Sequence, residues 1–170
     1  MITRGHEDMF WQITELPNIR LILVGIGTRG NTKDPKHRYL FSFDEVNQLM
    51  QPLLEQISRE KGIGYEVREV PDINNNVLYA KYVEGIFPKM DPNNTAVVSG
   101  DSATINCFDH KYLILRPEMR IRVHSSRIRE LIRDNKPYAH LVHDAVAMRK
   151  INYETRLREY WRLHESEPLY

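Results

Sequence analysis

Two serines stand directly ahead of an apolar-periodic helix in the segment VHSSRIRELI, residues 123–132. Ser125 and Ser126 offer hydroxyls there, and Arg127 and Arg129 place two guanidinium groups in the first turns. Such hydroxyls often only cap the helix, whose first backbone N–H groups have no partner within it. The same amides, the helix dipole and an arginine can also hold a phosphate. The segment alone leaves both interpretations open, and capping is the commoner one.

Two other segments carry polar residues in comparable positions. TRGH, residues 3–6, precedes the first helical pattern, and SGDSAT, residues 99–104, follows a short apolar run. In an open α/β sheet, ligands bind at the carboxyl ends of strands and the amino ends of the helices that follow. We therefore expect these segments to lie on the same side of the fold as RPEMRIRVHSSRIR, residues 116–129.

Hydrophobic periodicity predicts helices and strands in alternation along the chain. Ser42 and Glu45 have capping-box spacing at the start of the second helix, which Gly62 ends. The alternation is typical of an α/β fold with a doubly wound parallel sheet, here a single domain with C-terminal helices. The predicted strands are RLILVGIG, YEVREV, TAVVSG and KYLILR, and the predicted helices span 6–15, 42–61, 76–87, 101–108, 125–133, 141–150 and 153–164.

With these segments in order, the sequence resembles the nucleotidyltransferases that carry an early T/H-x-G-H motif and a late I-S-S-T-x-I-R motif. Within them it is most similar to nicotinamide-mononucleotide adenylyltransferases of the archaeal type. The resemblance runs from Thr3 to about Ile151 and includes VGIG, FSFDE, VPDINNNVLYAKYVE, VVSGD, RPEM and HLVHDAV. It implies a Rossmann-like nucleotidyltransferase domain over residues 1–150 and a helical tail over 151–170.

The resemblance implies transfer of the adenylyl group of ATP to nicotinamide mononucleotide, which gives NAD and pyrophosphate. This chemistry needs positioning and charge neutralisation more than covalent help. Mg²⁺ would bridge the ATP phosphates without protein ligands, so no metal-ligating residues are expected. The implied catalytic residues are His6 and Arg129; those for ATP and its phosphates are Thr3, Gly5, His6, Ser125, Ser126, Arg129, Gly100 and Asp101; those for nicotinamide mononucleotide are Gly25, Gly27 and Tyr79.

The chain departs from the pattern of this family at several positions. Thr3 stands where many relatives have histidine, and Tyr79 stands where archaeal relatives have a tryptophan that stacks on the nicotinamide ring. Val46 replaces the arginine of a Glu-Arg pair. Relatives also carry a strand and a G-x-F-x-P turn before the early motif, where this sequence has only Met1 and Ile2. We therefore expect this sequence to lack the first strand of the sheet.

Two patterns resemble other sites but lack the context that those sites need. GIGTRG, residues 25–30, fits the G-x-G-x-x-G spacing of dinucleotide-binding folds, but a polar loop rather than a helix follows it. We interpret these glycines as backbone that approaches a ligand at the end of a strand. His140 and His143 have the spacing of some zinc ligands, but no further ligands accompany them, and we predict surface histidines.

Composition excludes several other classes of protein. A net charge of +1 with 28% charged residues gives no polybasic surface for nucleic acid, and no run of about 20 apolar residues suggests a membrane span. The single Cys107 excludes an internal disulfide and, with the missing leader, favours a cytoplasmic protein. The resemblance implies a homo-oligomer. Two alternatives stay open: another acceptor or CTP, as in phosphopantetheine adenylyltransferases or cytidylyltransferases, or a non-catalytic nucleotide-binding protein.

Overall fold

The computed structural model describes residues 2–30, 40–118, 120–144 and 152–164. The first element is helix α1, Arg4–Thr14. It begins two residues earlier than the periodicity predicted, because Thr3 and His6 form a capping box that supplies partners for the first amides. Each of these residues accepts a hydrogen bond from the backbone N–H of the other.

The first parallel pair of strands joins β1, Leu21–Thr28, to β2, Gly64–Pro71. Helix α2, Phe43–Lys61, connects them. The predicted capping box of α2 is confirmed, because Ser42 and Glu45 bond reciprocally to each other's backbone. Gly62 ends α2 with φ 67°, a left-handed conformation that favours glycine.

The second parallel pair is shorter and follows helix α3, Asn76–Ile86. Strand β3, Ala96–Val98, pairs with β4, Leu113–Leu115, and helix α4, Ser102–Phe108, connects them. The predicted mixture of helices and parallel strands is therefore confirmed. The expected single doubly wound sheet is not confirmed, because the described strands form two sheets of two strands each.

The C-terminal part contains helix α5, Ser125–Arg133, a 3₁₀ turn, Ala139–Leu141, and helix α6, Tyr153–Leu163. The prediction that a helix begins at Leu141 is wrong. Val142 is extended and forms an antiparallel bridge with Thr3, and the N–H of His143 donates to the carbonyl of Ile2. Residues 145–150 of that predicted helix lie outside the described residues.

In one hydrophobic cluster, residues from both ends of the described chain pack against the first sheet. Alternate residues Ile22, Val24 and Ile26 of β1 face it, as the two-residue period of a strand requires. From α6, Leu157 has no exposed surface, so the terminal helix packs on the domain as part of its core. A second cluster fills the space between β2, α3, α4 and the second sheet, and its buried members are Val70, Ala80, Val83, Phe87, Cys107, Phe108 and Tyr112.

Candidate phosphate-binding site

The structure brings the early TRGH segment against the segment that leads into α5. The Thr3 side chain is fully buried, and its hydroxyl has two acceptors for its one proton: the carbonyl oxygen of Val123 at 3.1 Å and Nδ1 of His6 at 2.8 Å. Val123 is two residues before the start of α5. One buried threonine therefore both caps α1 and fixes the entry to α5.

Gly5 explains why this contact can be so close. A Cβ atom at this position would lie 2.9 Å from the carbonyl oxygen of Ile121 and 3.1 Å from that of Val123. Both neighbours are backbone atoms, which cannot rotate away as a side chain would. The glycine of TRGH is thus required for the first turn of α1 to lie against residues 121–123.

His6 presents a defined hydrogen-bond donor at this junction. Its Nδ1 accepts from the Thr3 backbone N–H at 3.1 Å, and a backbone N–H can only donate, so Nδ1 carries no proton. The ring proton is therefore on Nε2. Burial lowers the pKa of His6 to about 4, and positive charges nearby, including that of His124, add to the effect. At pH 7 His6 is a neutral imidazole with its Nε2–H as the donor left for a ligand.

The start of α5 lacks the side-chain cap that its two serines suggested. The N-cap residue is His124, whose side chain makes no capping hydrogen bond, and Ser125 and Ser126 are the first two residues of the helix. The capping interpretation of these serines is therefore wrong. The backbone N–H groups of the first turn have no side-chain cap, which is the arrangement that binds anions at helix amino ends.

Arg129 lies one turn further along α5 and is 9% exposed. Its guanidinium hydrogen-bonds to the hydroxyl of Tyr153 at the start of α6. Burial raises the pKa of Tyr153 to about 12, while the charge and hydrogen bond of Arg129 oppose that rise. The structure thus gives Arg129 a partner in the core, and contact with a phosphate stays a prediction.

Glu7, next to TRGH, and His143 make a contact that the sequence did not indicate. Nδ1 of His143 lies 3.2 Å from Glu7 Oε2, at ion-pair distance but without the alignment of a good hydrogen bond. Burial raises the pKa of Glu7, but Arg4 and His143 beside it outweigh this effect and hold the pKa below its usual value. The prediction of a surface histidine is wrong for His143, whose side chain is only 14% exposed, whereas His140 is exposed.

The residues expected around the adenosine lie at the carboxyl end of β3. Gly100 and Asp101 are both exposed. Asp101 is the N-cap of α4, and its Oδ2 accepts from the backbone N–H and the hydroxyl of Thr104, at 2.7 and 2.8 Å. Asp101 therefore has a capping role in the structure, and a role toward adenosine stays a prediction.

The residues expected to bind nicotinamide mononucleotide lie in β1 and α3. Gly25 and Gly27 lie within β1, as the predicted strand RLILVGIG has them, and a Cβ at Gly27 would meet nothing within 4 Å. Tyr79 is half-buried and meets the ring of Phe108 edge-to-face, with 6.1 Å between ring centroids. Stacking of Tyr79 on a nicotinamide ring stays a prediction.

Sequence comparison gives the geometry a context. The nicotinamide-nucleotide adenylyltransferase of Thermococcus kodakarensis is 28% identical over 153 residues, which are 86% of this chain and 74% of that protein. The chain is similar to nicotinamide-nucleotide adenylyltransferases. The enzymes of the same name from Thermococcus onnurineus and Pyrococcus furiosus are 26% and 25% identical to this chain, again over 86% of it. The matched stretch covers 74% and 75% of those two proteins. No protein-family model matches the chain.

Two further properties bear on the site and on the whole chain. Among residues 2–30, 40–118, 120–144 and 152–164, no three His, Cys, Asp or Glu side chains are grouped as metal ligands would be. Within the same ranges, no helix has both the length and the apolar character needed to cross a membrane.

Proposed function

We propose that the protein transfers the adenylyl group of ATP to the phosphate of nicotinamide mononucleotide, giving NAD and pyrophosphate. The observation that carries the proposal is the junction of Thr3–His6 with the uncapped start of α5, in a chain similar to nicotinamide-nucleotide adenylyltransferases. A neutral N–H donor and helix amides without a side-chain cap suit phosphate oxygens, which accept hydrogen bonds.

In the proposed reaction, a phosphate oxygen of the mononucleotide attacks the α-phosphorus of ATP. A new oxygen–phosphorus bond forms, and the bond from the α-phosphorus to the bridging oxygen breaks, so that pyrophosphate leaves with the electron pair. The chain's part is to hold the leaving group: His6 donates from Nε2, and the amides of Ser125 and Ser126 face the β and γ phosphates. Arg129 adds positive charge one turn below them. Mg²⁺ would arrive on the ATP phosphates and neutralise their charge.

The direct test is to incubate the protein with ATP, nicotinamide mononucleotide and Mg²⁺ and to measure NAD and pyrophosphate by chromatography and mass spectrometry. Equal amounts of NAD and pyrophosphate are expected. Parallel reactions replace the mononucleotide by phosphopantetheine, or ATP by CTP. A product formed only with phosphopantetheine, or only with CTP, would contradict the proposal and indicate another acceptor or another nucleotide. Thermal stabilisation by ATP without turnover would instead support a non-catalytic nucleotide-binding protein.

A matched pair of variants tests the site. His6→Ala removes the Nε2–H donor, and loss of such a donor to a developing charge costs about 10² to 10³ in kcat/KM. His140→Ala removes an exposed histidine in the 3₁₀ turn and is expected to leave turnover unchanged. Equal activity of both variants would remove His6 from the site.

The expected homo-oligomer and cytoplasmic location stay predictions that sedimentation and cell fractionation can test.

A further inference from the structure

A cleft opens where β1 ends and α2 begins, apart from the residues of the phosphate site. Its volume is about 460 Å³, within the range of about 300 to 1,000 Å³ typical of small-molecule sites. It also lies at the carboxyl end of a parallel strand, where open α/β folds bind ligands. The lining residues come from β1, α2, β2 and α6 and the segments beside them, and they include Arg29, Gly30, Leu40, Glu45, Glu69 and Arg156.

The backbone on either side of Arg29 is held rigidly. The carbonyl of Thr28 accepts from the N–H of Asp72 at 3.0 Å. Gly30 has φ 45°, and a Cβ there would lie 2.1 Å from the carbonyl oxygen of Asp72. Since both neighbours are fixed against the end of β2, the direction in which Arg29 leaves the backbone is set by the sheet.

The Arg29 guanidinium has no protein partner in the described part of the chain. Its side chain is half-buried, Nη1 is shielded from solvent, and no described group accepts a hydrogen bond from it. A guanidinium has five N–H donors, and leaving a shielded donor without an acceptor is costly. A charged side chain in this state at the wall of a cleft is suited to an anion that binds there.

Among the residues that the structure describes, the other charged groups of the cleft do not compensate Arg29. Arg156 and Glu45 form an ion pair with each other, and Arg156 also donates to the Leu40 carbonyl at 2.6 Å. Burial raises the pKa of Glu45, but hydrogen bonds from Ser42 and Arg156 and the Arg156 charge outweigh it, so the carboxylate stays ionised. Glu69 is exposed to water on β2 and forms no ion pair with Arg29.

We infer that Arg29 binds the phosphate of the acceptor mononucleotide in this cleft, an assignment that rests on the proposed function. A planar guanidinium fork recognises phosphate through two parallel hydrogen bonds. Arg29 then determines specificity for a phosphorylated acceptor, and it does so without taking part in the binding of the ATP triphosphate.

The first experiment measures steady-state kinetics of Arg29→Met, with Arg20→Met as the matched control. Arg20 is exposed ahead of β1 and does not line the cleft, so the control removes the same charge elsewhere. Loss of a charge-assisted bond predicts a KM for nicotinamide mononucleotide raised about 10- to 100-fold, with the KM for ATP changed less than about threefold. Arg29→Lys keeps the charge and is expected to restore part of the affinity. If Arg29→Met is active with an unchanged KM for the mononucleotide, the assignment is overturned while the proposed function stands.

The second experiment measures binding without turnover, by calorimetry with nicotinamide mononucleotide, nicotinamide riboside and inorganic phosphate. The parent protein is expected to bind the mononucleotide more tightly than the riboside, and Arg29→Met is expected to abolish that difference. A parent protein that makes no NAD but binds phosphate in an Arg29-dependent manner would overturn the proposed function and support the anion site. Equal affinity of the parent for mononucleotide and riboside would overturn the site.

Discussion

Replacing His6 by glutamine tests whether burial of a neutral imidazole makes folding sensitive to mild acid. The folded-state pKa of His6 is about 4, below the unfolded value of 6.5. Between these two values the unfolded chain binds the proton and the folded protein does not. The contribution of His6 to the free energy of unfolding is therefore complete above pH 6.5 and is lost as the pH falls toward 4.

The magnitude follows from the two pKa values. At about 1.4 kcal/mol per pKa unit the full effect is about 3 kcal/mol, of which about 2 kcal/mol is lost between pH 7 and pH 5. Glutamine at this position of a capping box still accepts from the Thr3 N–H but does not titrate. The wild type is thus expected to lose about 2 kcal/mol more than His6→Gln over this pH range.

Urea denaturation of both proteins at pH 7, 6 and 5 measures the difference directly. Carboxylates such as Glu7 and Glu45 are common to both proteins, so their effect cancels in the comparison. Both proteins should show the same dependence of unfolding free energy on urea, since the surface exposed on unfolding is unchanged. If the two unfolding free energies fall in parallel between pH 7 and pH 5, His6 is not buried as a neutral group and the tautomer argument fails with it.

Three further substitutions, two of them with a matched control, test the contacts around the site by thermal or urea denaturation and turnover. Gly5→Ala forces a Cβ against two backbone carbonyls and is expected to lower the free energy of unfolding by about 1 to 3 kcal/mol and to remove most of the turnover. The control Gly85→Ala places its Cβ in open space on α3 and should raise the free energy of unfolding by up to about 1 kcal/mol. Tyr153→Phe keeps the ring but removes the partner of a buried guanidinium, which should cost about 1 to 3 kcal/mol; an unchanged stability would contradict that hydrogen bond. Arg156→Ala removes the ion pair between α6 and α2 and should lower the midpoint of unfolding clearly. Arg158→Ala loses only a pair within its own helix and should cost about 0.5 kcal/mol or less.

Local patterns predicted the helices and strands well because their signals lie within a few residues. Ser42 and Glu45 sit three positions apart, and Gly62 supplies the left-handed turn at the end of the same helix. The bounds of α3 and α5 follow from the same kind of signal, periodicity and a polar residue at the start. The early and late motifs are far apart in sequence, and it was the resemblance, rather than any local rule, that brought them into one expected site.

Contacts between distant segments account for what the sequence did not show. Val142 is extended because it pairs with Thr3, and no residue near position 142 signals that bridge. His143 is shielded for the same reason. Arg129 interacts with Tyr153 at the start of α6, a residue 24 positions away in the sequence. Arg29 lies within GIGTRG and nothing in the sequence singles it out, since only the fixed turn around Gly30 and Asp72 shows where its side chain starts.

The electrostatics of the phosphate site separate its stability from its activity. His6 is uncharged at pH 7 and stays so until the pH approaches 4, so its Nε2–H is the same donor throughout the range in which the unfolded chain gains a proton. The other groups assigned to the phosphates are the backbone amides at the start of α5 and the Arg129 guanidinium, and neither titrates between pH 6 and pH 8. The KM for ATP, measured between pH 6 and pH 8, is therefore expected to stay constant within about twofold. The free energy of unfolding already begins to fall below pH 6.5, because the unfolded chain then binds a proton at His6 that the folded protein does not bind. The ligand meets the folded protein, in which His6 presents the same neutral N–H.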